Sequence, residues 1–96
     1  MVYVQASIKL RPGKLQDFVA LLNELTPVLA RHGWKLQGSY ASVIGRVNTV
    51  TDLWEVTDPN AVGALMGSAD LQKYGPRIAE IIEDEVLTVM TRLPIG

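Results

Sequence analysis

The chain has 96 residues, ten acidic and nine basic side chains, a net charge of −1 and no cysteine. That length leaves room for one domain and one core. The missing thiols exclude disulfides, thiolate zinc sites and cysteine nucleophiles. The interspersed charge offers no basic face to neutralise the phosphates of a nucleic acid.

Val2 to Leu10 alternates, with Val2, Val4, Ala6, Ile8 and Leu10 on one side and Tyr3, Gln5, Ser7 and Lys9 on the other. This is the period of a strand with unlike faces. Arg11-Pro12-Gly13 stops it, and from Lys14 the period becomes helical. Leu15, Phe18, Val19, Leu22, Leu25 and Leu29 form the apolar stripe. Pro27 is expected to kink this helix or divide its last turns. Gly33, after His32, stands where a left-handed C-cap belongs.

Two strands follow. The first is read over Trp34 to Ile44, with Trp34, Leu36, Tyr40 and Ile44 on one side. Gly45-Arg46 is the expected turn, and Val47 to Val56 the second strand of an antiparallel hairpin. Thr57-Asp58-Pro59 is expected to start a helix, with Asp58 or Thr57 as N-cap and Pro59 at the first helical position. Ala61, Val62, Leu65 and Met66 make a short stripe that ends near Gly67-Ser68. Asp70 can cap a second piece, buried along Leu71, Tyr74, Ile78, Ile81 and Ile82. The charge run Glu83-Asp84-Glu85 leads into a last strand, Val86 to Leu93, and is read as solvated.

The order is therefore β-α-β-β-α-β. Residues 1–96 form a single α+β domain of ferredoxin-like layout, a four-stranded antiparallel sheet with its helices on one face. Apolar side chains fall on both faces of the predicted strands, so the face without helices needs cover. A second copy packed sheet-to-sheet about a two-fold axis supplies it.

Three segments resemble the NIPSNAP family of the dimeric α/β-barrel superfamily. They are Leu10-Arg11-Pro12-Gly13-Lys14-Leu15-Gln16-Asp17-Phe18, then Arg31-His32-Gly33 leading into Lys35-Leu36-Gln37-Gly38, then Ile44-Gly45-Arg46-Val47-Asn48 followed by Leu53-Trp54-Glu55-Val56. The resemblance spans nearly the whole chain. It implies a homodimer joined through the sheets into a dimeric α/β barrel, with a pocket between sheet and helices or inside the barrel. Superfamily members include cofactor-free monooxygenases, polyketide cyclases, haem-degrading enzymes and muconolactone isomerase-like proteins. A shared fold does not choose among them.

The candidate residues are few. Asp52, a carboxylate in mid-strand among apolar neighbours, is either paired, with Arg92 or Lys9, or faces a cavity as a general base. Asn48, Asp52 and Trp54 share one side of the third strand, and Tyr40 on the neighbouring strand offers a hydroxyl. Asp52, Tyr40 and Asn48 are thus the candidate catalytic set, resembling the kit with which cofactor-free monooxygenases of the superfamily hold an enolate or phenolate. Asn48 is equally a turn residue and Trp54 equally a core aromatic. Gln5, Ser7, Trp54 and His32 are the candidate ligand-binding residues. His32 is the only histidine, at a helix end where a cation is favoured by the dipole. Without a second histidine or a carboxylate pair beside it, no metal site is expected.

The expectation is a cytoplasmic homodimer that takes a small apolar or aromatic molecule without a metal or organic cofactor. No signal peptide, membrane span or nucleic-acid partner is expected. If it is an enzyme, monooxygenase, cyclase or isomerase chemistry fits. The alternative is a non-catalytic ligand-binding or protein-interaction module.

Overall fold

The computed structural model describes all 96 residues. Strand β1 (Val2–Leu10) is followed by helix α1 (Leu15–Arg31), strands β2 (Trp34–Ala41) and β3 (Thr49–Val56), helices α2 (Asn60–Met66), α3 (Ala69–Gln72) and α4 (Gly75–Ile81), and strand β4 (Ile82–Met90). The sheet order is β2-β3-β1-β4 and every pairing is antiparallel. The molecule is only 18 Å thick along its short axis, one sheet and one helical layer. Within this chain the sheet is open; its two edges, β2 and β4, do not close a barrel. No helix is long and apolar enough to cross a membrane.

The alternation in β1 sorts the two faces. Val4, Ala6, Ile8 and Leu10 are buried under the helices, while Gln5, Ser7 and Lys9 are exposed. In β3 the even positions Val50, Asp52, Trp54 and Val56 are buried beside them. Phe18, Leu21, Leu25, Val28 and Leu29 of α1, Leu65 of α2 and Ile81 of α4 close the core from above. The α1 stripe is therefore rotated from the expected one. Leu15 and Val19 are about half exposed, and Leu21 and Val28 take the core positions.

Pro27 does not divide α1, which runs unbroken over 17 residues. It lies on the exposed side, where water satisfies the carbonyl that its missing N–H leaves free. Gly33 has φ +83°, as a left-handed C-cap requires. The β2–β3 connection is longer than a Gly-Arg turn. Seven residues, 42 to 48, separate the strands, with Gly45 and Asn48 both at positive φ. The last helical region comes in three pieces. Ser68, not Asp70, caps α3 by accepting the Leu71 N–H, and Pro76 opens α4. β4 begins at Ile82, so the acidic run lies inside a strand.

Candidate functional site

Between the sheet and the helices lies a cavity of about 110 Å³. Its floor is Ala6 and Ile8 of β1, Asp52 and Trp54 of β3, and Glu85 and Leu87 of β4; Phe18, Leu25 and Leu29 of α1 and Leu65 and Met66 of α2 roof it. Ala6 leaves room where a larger side chain on the central strand would fill the space. Trp34 and Trp54 wall one end with their rings edge-to-face, centroids 5.9 Å apart at 73°. The indole N–H of Trp34 donates to the Ala61 carbonyl at 3.2 Å and ties α2 to β2.

Two carboxylates enter this apolar space, both placed by strand register. Asp52 pairs with Ala6, and Glu85 with Ile8, so they flank the central strand one step apart on the helix-covered face. Asp52 is 2 % exposed, the only buried charged side chain. Its Oδ1 accepts the Ser39 hydroxyl at 2.5 Å across the β2–β3 pair. Burial raises the Asp52 pKa above the ordinary carboxylate value, and the Ser39 hydrogen bond opposes part of that rise. Glu85 stays reachable from solvent, yet burial of its carboxylate raises its pKa, and the charge of Asp52 adds to the rise. Neither forms an ion pair. Lys9 is bridged to Glu83 at 3.0 Å, and the other bridges are Lys14–Asp17, His32–Asp70 and Arg77–Glu24. The expected partners of Asp52, Arg92 and Lys9, are both elsewhere. Arg92 lies beyond the end of β4, and Lys9 is on the opposite face.

The candidate residues thus separate. Asp52 and Trp54 share the cavity. Tyr40 does not join them, because Gln37 forms a bulge between Leu36 and Gly38 that reverses the facing of the rest of β2. Ser39 is brought opposite Asp52 instead, and Tyr40 pairs with Thr51 on the helix-free face, 64 % exposed. Asn48 sits in the exposed β2–β3 loop with φ 58°, its carbonyl accepting the Leu10 N–H at 2.8 Å. Gln5 and Ser7 are on the helix-free face. His32 is outside the cavity, its Nε2 2.9 Å from Asp70 Oδ2, where it holds the end of α1 to α3. No three His, Cys, Asp or Glu side chains come together as a metal site.

Glu85 and Ser39 were not among the residues singled out from sequence. For Glu85 the signal was the alternation Glu85, Leu87, Val89, visible once the strand is begun at Ile82. For Ser39 it was Gly38, a glycine inside a strand, which marks bulges.

No protein-family model matches the chain, and no curated protein matches it. Solved structures do. A NIPSNAP domain protein of Burkholderia xenovorans superposes with TM-score 0.79 at 18 % identity, covering 100 % of this chain and 98 % of its own. A NIPSNAP family protein of Agrobacterium tumefaciens gives TM-score 0.82 at 19 % identity, with 100 % and 91 % covered. A protein of Mycobacterium tuberculosis gives 0.76 at 20 %, with 99 % and 97 % covered. At these identities the likeness is one of fold, and it extends over the whole chain.

Proposed function

We propose that this chain is a NIPSNAP-type protein that binds a small apolar molecule in the sheet–helix cavity, with Asp52 as the polar anchor, and that it works as a homodimer joined through its sheets. The observation that carries the reading is Asp52 itself. A carboxylate 2 % exposed, without a cation, bordering an otherwise apolar cavity, is costly to keep unless something uses it. Oδ1 is held by Ser39, and Oδ2 has no side-chain partner, which leaves it available to a ligand in the cavity that Asp52 lines. The NIPSNAP-like fold of the solved relatives is consistent with such a pocket.

The space is small. An engineered apolar cavity of about 150 Å³ accepts benzene, so the occupant is a single-ring or branched aliphatic molecule held with modest widening. Titration with single-ring probes (toluene, benzyl alcohol, benzylamine and benzoate), followed by the fluorescence of Trp34 and Trp54, tests this. At least one should give saturable quenching, and Ala6→Val, which fills the floor, should abolish it. No response to any of the four probes would overturn the binding reading.

A second reading, catalysis without metal or organic cofactor, is favoured by the raised pKa of Asp52. A carboxyl group lifted by burial toward its working pH both takes and returns a proton. Two carboxylates repel a free enolate or phenolate, so the reading is proton shuffling of the isomerase or cyclase kind through a neutral enol. Asp52 takes the proton from carbon while protonated Glu85 gives one to the carbonyl oxygen. Solvent deuterium entering a bound ketone beside its carbonyl, and lost in Asp52→Asn, is the expected sign.

A further inference from the structure

Asp52 and Glu85 both reach the cavity, and no lysine, arginine or histidine lines it. The four ion pairs of the molecule use neither of them. Asp52 spends Oδ1 on Ser39, and its Oδ2 is engaged by no side chain of the cavity it lines. Trp34 and Trp54 line the same cavity and offer aromatic surface to an apolar body.

We infer that the ligand of this cavity is a small hydrophobic amine, bound as its ammonium form with the charged nitrogen between Asp52 and Glu85 and the apolar body against Trp34 and Trp54. The inference rests on the proposed binding role of the cavity and names the ligand's chemistry. Charge complementarity decides the class. A carboxylate or phosphate ligand would enter a space that already holds two acidic groups and offers no cation in return. A neutral molecule of the same shape gains the apolar contacts and leaves the two acids without a counter-charge. An ammonium group supplies a donor to Asp52 Oδ2 and to the Glu85 carboxylate, neither of which has a side-chain donor in the cavity. Glu85, the solvent-reachable member of the pair, is placed to meet the cation first, and Asp52, deeper and braced by Ser39, to retain it.

The probes are benzylamine, benzyl alcohol, toluene and benzoate, three of them close in shape to the first and differing in charge. Affinity for each is read by tryptophan quenching and calorimetry in the wild type, Asp52→Asn and Glu85→Gln. Benzylamine should bind at least tenfold more tightly than benzyl alcohol or toluene, and benzoate should not bind. Either substitution should weaken benzylamine at least tenfold and leave toluene within about threefold. Should Asp52→Asn fail to fold, Glu85→Gln, on the accessible strand edge, carries the same comparison. Equal affinity for amine, alcohol and hydrocarbon, or binding of benzoate, would overturn the amine assignment while leaving an apolar binding cavity in place. Silence from all four probes would remove the binding role as well.

Discussion

At the residue scale, Asp52 determines how the molecule should respond to pH. Its folded-state pKa lies above the ordinary carboxylate value because burial disfavours the charged form. A carboxyl group raised in this way contributes most below its unfolded pKa. That contribution is lost as pH climbs through the folded value, since the native state binds the extra proton in that window. Glu85 acts with the same sign. Glu24 and Asp70 act oppositely. The Arg77 hydrogen bond lowers the first and the His32 hydrogen bond the second, so their support is present above the carboxylate range and fades on acidification. In urea titrations at several pH values, Asp52→Asn should therefore gain on the wild type as pH rises from about 4 to about 7. The asparagine side chain can still accept the Ser39 hydroxyl but never ionises. A constant difference across that range would mean that Asp52 is not held up by burial. The residue was legible as an oddity in the sequence, a carboxylate among apolar neighbours. Its partner was not, because Ser39 reaches it only through the Gln37 bulge.

At the scale of elements, the turn from α1 into β2 shows how local chemistry and packing act on one position. Gly33 has φ +83°, and a Cβ there would come within 2.7 Å of the Thr57 Oγ1. The Gly33 carbonyl also accepts the Thr57 N–H at 3.2 Å, so the two backbones are held close at the far ends of β2 and β3. Gly33→Ala should cost about 1–3 kcal/mol of unfolding free energy from backbone strain, with a steric clash added. Thr57→Ala in the same chain should recover the clash and not the strain. Full recovery in the double variant, measured by chemical denaturation, would show that the positive φ contributes nothing. The glycine was readable as a helix C-cap from its place after a helical stripe. That Thr57 presses on it was not, since the contact joins segments far apart in sequence.

At the scale of the whole molecule, the question is what covers the second face of the sheet. Both tryptophans of the core turn toward the helices, so the other face is less apolar than the sequence reading assumed. Along it Tyr3 pairs with Met90 and Glu55, Gln5 with Leu53 and Thr88, and Ser7 with Val86. Val86 and Tyr40 are exposed, and Leu53, Tyr3 and Met90 half-buried. This apolar patch set among threonines and a few charges has the mixed character of an interface between copies that also fold alone. The proposed homodimer should appear by light scattering at micromolar concentration. Leu53→Lys, placing a charge at the centre of the patch, should yield a folded monomer. A wild-type monomer at that concentration would remove the dimer.

The two periods of the sequence, two in β1 and β3 and close to 3.6 in α1, sufficed for the element order and hence for the ferredoxin-like layout. Local sterics and the burial of one face leave such patterns little choice. Strand parity was beyond their reach wherever a bulge intervened. Gln37 in β2, and Glu83, skipped where the β1–β4 register shifts between Lys9 and Leu10, each reverse the facing of the residues beyond them. The Gln37 bulge puts Tyr40 outside and Ser39 beside Asp52, whereas Glu85, still exposed to solvent, reaches the cavity by plain alternation with Leu87. A bulge forms because the partner strand and the layer above it select it, so the assembled sheet alone settled that Ser39, and not Tyr40, meets Asp52.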